Sequence, residues 1–75
     1  MSVRSFLVYV ASGARDGVSQ ALAALPGCDV YPADNRDVIV VVSDVADRAA
    51  EETFDEQLAA IPGVLGAALV AGYDR

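Results

Sequence analysis

The sequence predicts an α+β fold, in which one four-stranded antiparallel sheet carries two helices on the same face. The main observation is an internal repeat, because the segment Leu22–Gly27 (LAALPG) returns as Leu58–Gly63 (LAAIPG). Each copy lies between two apolar stretches, so each half of the chain predicts a strand, a helix, a Pro-Gly stop and a second strand. Two such halves in series give the order βαββαβ, which is the ferredoxin-like architecture.

The first half is expected to begin with a strand over about Ser5–Ala11 and a helix over about Arg15–Leu25. Ser12 is a candidate N-cap for this helix. Pro26 disfavours helical geometry in the residue before it, and Gly27 then permits a sharp reversal. Apolar residues at i, i+4 and i+7 predict one buried stripe on the helix. This stripe is Val18, Leu22 and Leu25.

The middle of the chain predicts a hairpin. A short strand over Cys28–Tyr31 ends at Pro32, which suits a strand at the edge of the sheet. Asp and Asn in Ala33–Arg36 favour a tight turn. The following strand, Asp37–Ser43, consists almost entirely of β-branched residues.

The second half predicts a helix followed by the last strand. Asp47 is the expected N-cap of the helix. A strand is expected over about Val64–Gly72, followed by a frayed tail over Tyr73–Arg75. The buried stripe of the second helix is expected to be Ala50, Phe54, Leu58 and Ile61.

Composition limits the classes of function. The 75 residues make one domain spanning 1–75, with eleven acidic residues against five basic ones, no histidine and a net charge of −6. An acidic surface repels nucleic acid and suits a basic peptide. Without histidine or lysine the chain lacks the usual catalytic triads and nucleophilic lysines, so we expect no enzyme activity, no catalytic residue, no metal site and no cofactor.

Cysteine usage and the N-terminus favour a cytoplasmic protein. Cys28 is the only cysteine, so no intrachain disulfide forms, and its strand position suggests a side chain that points inward. The apolar run Phe6–Val10 is too short for a signal peptide, and no segment is long enough to span a membrane.

The strands carry more apolar residues than one buried face needs. If Phe6, Val8 and Val10 face the helices, Leu7 and Tyr9 face outward. The same alternation applies to the remaining strands. In strand three we assign Val38, Val40 and Val42 to the core, which leaves Ile39 and Val41 outside. In strand four we assign Leu65, Ala67 and Leu69 to the core, which leaves a track of small residues outside.

Exposed apolar side chains would then form a patch around Tyr9, Tyr31, Ile39 and Val41. Three interpretations stay open: two sheets packed face to face in a homodimer, a groove for a peptide or partner, or a modest patch on a monomer. Under this assignment an aspartate at Val41 would spare the fold, and one at Val40 would unfold it.

Several segments together resemble the NapD family of small cytoplasmic chaperones for the catalytic subunit of periplasmic nitrate reductase. They are an apolar strand after Ser5, the run Leu25–Val30 (LPGCDV), the valine-rich run Val38–Val42, and Ile61–Leu65 (IPGVL) leading into Ala68–Val70. The resemblance spans about Ser5 to Tyr73. It implies a ferredoxin-like, non-enzymatic protein, a monomer or weak dimer, that binds the twin-arginine signal peptide of its client and holds back export until the molybdenum cofactor is inserted.

The resemblance also implies a peptide surface on the open side of the sheet. Carried onto this chain, that surface is Leu7, Tyr9, Tyr31, Ile39, Val41 and Ser43. The nearest carboxylates in sequence, as candidates for the twin arginines, are Asp29, Asp37 and Asp44.

An alternative from another class is a stand-alone effector domain that binds an amino acid as a dimer. Effector domains of feast/famine regulators share the βαββαβ order and a Pro-Gly-Val entry into strand four. A tight dimer whose melting temperature shifts with amino acids would indicate this alternative.

Overall fold

The computed structural model describes residues 2–74 and has the predicted element order. The elements are β1 (Ser2–Val10), α1 (Arg15–Ala23), β2 (Cys28–Pro32), β3 (Val38–Val45), α2 (Arg48–Ala60) and β4 (Val64–Asp74). The four strands form one antiparallel sheet in the order β2-β3-β1-β4. This confirms the ferredoxin-like prediction, with the short Pro-ended β2 at one edge and the long β4 at the other.

Three strand ends differ by two or more residues from the sequence prediction, because β1 is longer than its apolar run and lengthens both strands that pair with it. β1 begins at Ser2, and its polar start pairs with the end of β3 on one side and with the end of β4 on the other. Backbone pairing between Ser2 and Asp74 extends β4 two residues past Gly72. Tyr73 and Asp74 are therefore strand residues rather than a frayed tail, and Arg75 lies outside the described residues.

The two helices begin differently. The Asp47 side chain accepts a hydrogen bond of 2.9 Å from the amide of Ala50, which confirms the predicted N-cap of α2. The N-cap of α1 is Ala14, which makes no side-chain cap bond, so the prediction of Ser12 as the cap is wrong. Ser12 lies two residues too early, in a turn where the amide of Ala14 donates to the carbonyl of Ala11.

The repeated Pro-Gly turns connect each helix to the strand that follows. Gly27 and Gly63 both have positive φ, +69° and +97°, which glycine adopts without the steric cost of a Cβ. The carbonyl of Gly27 accepts from the amide of Asp44, and the carbonyl of Gly63 accepts from the amide of Ala11. Each turn is thereby fixed to another part of the chain.

The core lies between the sheet and the two helices, as the helix stripes predict, except that Ala50 is only partly buried and lies outside this cluster. Val18 and Leu22 of α1, and Phe54 and Leu58 of α2, are buried, and Leu25 and Ile61 pack against them at the helix ends. The strands contribute Phe6, Val8, Val10, Ile39 and Val41. Phe6 and Phe54 stack with ring centroids 5.9 Å apart, which links β1 directly to α2.

Arg4 identifies the helix side of the sheet independently. Its guanidinium donates two hydrogen bonds to the Asp55 carboxylate on α2, at 3.1 and 3.3 Å, and lies 5.0 Å from the centre of the Phe6 ring. Arg4, Phe6, Val8 and Val10 therefore face the helices. The alternate residues of β1 face the opposite side, because side chains alternate along a strand.

The predicted facing of β3 is wrong. Ile39 pairs with Val8 and Val41 pairs with Phe6, and directly opposed residues share a face of the sheet. Ile39, Val41 and Ser43 are fully buried beneath the helices. The side chains of Val38, Val40 and Val42 lie on the other face.

Strand β4 follows the prediction only in part because its pairing shifts register twice. Ala67 and Leu69 lie opposite Val8 and Phe6, on the helix side as predicted. Register shifts at Ser5/Phe6 and Tyr9/Val10 each add one residue to β4. Consequently Val64 and Gly72, which alternation assigned to the open side, lie opposite the helix-facing residues Val10 and Arg4.

The helices leave the β4 edge of the sheet uncovered. Leu65 and Leu69, predicted to be core residues, are 72 % and 58 % exposed. A shallow groove of about 350 Å³, here called the α2–β4 groove, lies between helix and strand. Its apolar lining includes Phe6, Leu58, Val64, Leu65 and Ala67.

Candidate functional site

The sheet face opposite α1 and α2 carries neither helix and is here called the open face, although Val3 at one end of it is only 6 % exposed. Register and alternation assign it residues from all four strands. They are Val3, Ser5, Leu7 and Tyr9 of β1; Asp29 and Tyr31 of β2; Val38, Val40, Val42 and Asp44 of β3; and Gly66, Ala68 and Ala71 of β4.

One half of the open face is apolar and accessible. Tyr31 is 58 %, Tyr9 43 % and Val40 38 % exposed. Tyr31 lies directly opposite Val40, which lies opposite Leu7. The resulting row runs across β2, β3 and β1 and ends at Ala68 of β4. Small side chains on β4 leave this row open at one side, and large apolar surfaces of this kind often mark interaction sites.

The structure places three of the six sequence-predicted peptide residues on the open face. Leu7, Tyr9 and Tyr31 lie there together. Ile39, Val41 and Ser43 do not, because they lie on the helix side with no exposed surface. Their places on the open face are taken by Val38, Val40 and Val42.

One signal in the sequence could have identified the missed valines. Asp44 shares the alternation of Val38, Val40 and Val42, and a charged strand residue indicates the solvent side. Asp37 indicates the opposite assignment. However, it lies one residue before β3, in the turn, where strand alternation does not apply.

Two carboxylates occupy the other half of the open face. Asp29 lies opposite Val42, and Asp44 follows Val42 by two residues on the same side of β3. The two residues are therefore diagonal neighbours across β2 and β3, about 7–8 Å apart. We call this pair the acidic corner. Asp37, the third candidate, is at the opposite end of β3.

The acidic corner is free of ion pairs among residues 2–74. The salt bridges among these residues join Arg4 to Asp55 and Arg15 to Asp16, and neither involves Asp29 or Asp44. One oxygen of Asp44, Oδ1, is shielded from solvent and has no hydrogen-bond partner among these residues. Because this oxygen is shielded, a donor from a partner would instead meet the exposed side chain of Asp29 and the accessible part of Asp44.

The charge at the opposite end of the sheet is mixed. A polar cleft there brings Arg15 and Arg36 together with Asp16, Asp34 and Asp37. Arg15 also donates a hydrogen bond to the carbonyl of Ala33. The carboxylates at this end are accompanied by cations, in contrast to those of the acidic corner.

Cys28 lies beneath the acidic corner, on the helix side of β2. It is half-buried and packs against the core, as its inward-pointing strand position predicts. Burial, with a smaller contribution from the Asp29 charge, raises the pKa of its thiol from 9.0 to about 11. The thiol is therefore protonated and a weak nucleophile at neutral pH.

We expect Cys28 to be alkylated slowly in the folded protein. A pKa raised from 9.0 to about 11 lowers the thiolate fraction at pH 8 about 100-fold. Alkylation by iodoacetamide, followed by mass spectrometry, should therefore be about two orders of magnitude slower in buffer than in concentrated urea. Equal rates would contradict the burial of this thiol.

Neither of the helices within residues 2–74 is a candidate membrane span. The longer of the two, α2, has 13 residues, and neither is long and apolar enough to cross a bilayer.

Comparison with known proteins gives one family and one solved structure. The family described as NapD protein matches residues 1–74. The solution structure of the E. coli Tat proofreading chaperone protein NapD superimposes with a TM-score of 0.82 and 28 % sequence identity, over 97 % of this chain and 78 % of that one. No curated protein sequence matches significantly.

Proposed function

The chain belongs to the NapD family, and we propose that it binds the twin-arginine signal peptide of a periplasmic nitrate reductase precursor. A chaperone role is supported by the family and by the similarity to a Tat proofreading chaperone. In the proposed role, the bound precursor is held back from export until its molybdenum cofactor is inserted. The protein itself supplies a binding surface and no catalytic group.

The observation that carries the proposal is the combination, on one open face, of apolar surface and two carboxylates that form no salt bridge among residues 2–74. Signal peptides have a positively charged region followed by an apolar region of 7–15 residues. Tyr9, Tyr31 and Val40 offer exposed apolar surface to the second region. Asp29 and Asp44 offer carboxylates to the first.

Two physical contributions would act together in binding. When a peptide covers the apolar half, apolar surface is removed from water, and this favours binding by about 25 cal/mol for each Å² buried. Arginine placed beside carboxylates gains charge-assisted hydrogen bonds, and the net charge of −6 attracts a cationic peptide over longer range. The second contribution is screened by salt, whereas the first is not.

Calorimetric titration with a synthetic twin-arginine signal peptide tests the proposal. The matched control is the same peptide with both arginines replaced by alanine. We expect tight binding of the arginine peptide that weakens with added salt, and weaker, less salt-dependent binding of the control. Absence of binding by both peptides would contradict the proposal. A tight dimer whose melting temperature rises with amino acids would instead favour the effector-domain alternative.

The identity of the client requires a second comparison. The same titration would compare the signal peptide of a periplasmic nitrate reductase precursor with that of an unrelated twin-arginine precursor. Preferential binding of the first supports nitrate reductase as the client. Equal affinities would retain a signal-peptide chaperone and reject this client assignment.

A further inference from the structure

The open face is asymmetric along its strands, with the acidic corner at one end and the apolar half at the other. Along β3, the open-face residues run Val38, Val40, Val42 and Asp44. At about 3.4 Å per residue, the carboxylate end lies about 20 Å from the Val38 end. Tyr9 lies opposite Val38, so the distant end is aromatic and aliphatic.

We propose that the signal peptide lies on the open face in one direction, with its basic region over Asp29 and Asp44 and its apolar region running toward Tyr9 and Val38. This inference rests on the proposed function and adds the orientation of the peptide and the carboxylates that receive its arginines. The opposite direction would place the arginines over apolar side chains and leave the acidic corner beneath an apolar segment. In both places charged groups would lose their hydration without gaining a partner of opposite charge.

Charge at the two ends of the sheet supports the same direction. None of Asp29, Asp44, Asp34 and Asp37 is in a salt bridge among the described residues, but Asp34 and Asp37 share a cleft with Arg15 and Arg36. An incoming guanidinium is therefore attracted more strongly to the acidic corner. There, the exposed Asp29 carboxylate offers accessible acceptors for charge-assisted hydrogen bonds, and Asp44 adds a second negative charge beside it.

Nitroxide labels at the two ends of the peptide test the orientation directly. With the label at the peptide N-terminus, we expect paramagnetic broadening of the Asp29 and Asp44 amide signals. With the label at the C-terminus, we expect broadening of the Tyr9 and Val38 amide signals. The reversed pattern, or equal broadening of both ends by each label, would overturn the orientation while leaving signal-peptide binding intact.

Neutral substitutions at the two ends provide the matched comparison. Asp29→Asn and Asp44→Asn should each weaken binding of the arginine peptide about five- to tenfold and change binding of the alanine peptide little. The control Asp37→Asn, at the other end of β3, should change neither affinity. If only Asp37→Asn weakened binding of the arginine peptide, the proposed orientation would be wrong. If the unsubstituted protein bound neither peptide, the proposed function itself would be refuted.

Discussion

An aspartate at Val41 is expected to unfold the protein. Val41 has no exposed surface and lies opposite Phe6, in the core beneath the helices. An unpaired buried carboxylate costs several kcal/mol. A domain of this size has a free energy of unfolding of about 4–11 kcal/mol, so this cost removes most or all of its stability.

The matched substitution is Val40→Asp, one residue away and on the opposite face. Val40 is 38 % exposed, so its aspartate stays hydrated and the fold should persist. Peptide binding should fall at least about tenfold, because a bound apolar segment would desolvate the new charge. Circular dichroism during urea unfolding measures the first effect, and peptide titration measures the second. A folded Val41→Asp protein together with an unfolded Val40→Asp protein would contradict the facing of β3.

Replacement of Gly27 by alanine is the second substitution with a large expected effect. Gly27 has a φ of +69°, and a Cβ there would collide with the backbone carbonyl oxygen of Asp44. The left-handed conformation costs an L-residue about 1–2 kcal/mol, and the collision adds to this cost because backbone cannot move aside like a side-chain end. We expect a total loss of at least about 3 kcal/mol of stability.

Gly13→Ala is the control that separates conformation from collision. Gly13 also has a positive φ, +80°, but a Cβ there meets no atom within 4 Å. The free energy of unfolding of Gly13→Ala should fall by only about 1–2 kcal/mol, and Tm should fall by about 4–8 °C for each kcal/mol. Thermal unfolding of both variants gives the comparison. Equal losses of stability in the two variants would show that the close approach of Gly27 to β3 does not add to the cost of the alanine.

Local signals in the sequence were sufficient to predict the architecture. The repeated Pro-Gly stops, the helix stripes ending at Leu25 and Ile61, and the Asp47 cap each act over a few residues. They therefore predict element order without knowledge of tertiary packing. The longer β1 was missed because Ser2–Ser5 gains its strand structure from pairing with β3 and β4 rather than from apolar residues.

The candidate site was harder to predict because it depends on which side of each strand is buried. Val38–Val42 is apolar at every position, so alternation alone does not distinguish its two faces. Only pairing with Phe6 and Val8 decides that Ile39 and Val41 are buried. In β4, two register shifts interrupt the alternation, and the limited reach of α2 leaves Leu69 exposed despite its helix-side position.

Among residues 2–74, the open face and the α2–β4 groove both offer apolar surface to a partner. The groove exposes Leu65, but Asp55 in its lining is already paired with Arg4. The open face combines its apolar half with carboxylates that lie outside the salt bridges of residues 2–74. Charge complementarity with an arginine-bearing peptide therefore favours the open face.

Amide chemical-shift mapping with an unlabelled twin-arginine signal peptide distinguishes binding at the open face from binding at the groove. We predict that the largest shifts fall on open-face residues of β1, β2 and β3, among them Leu7, Tyr31 and Val40. Residues of the α2–β4 groove, such as Leu58 and Leu65, should shift little. If the largest shifts fell on groove residues and the open face were unchanged, the open face would not be the peptide-binding surface.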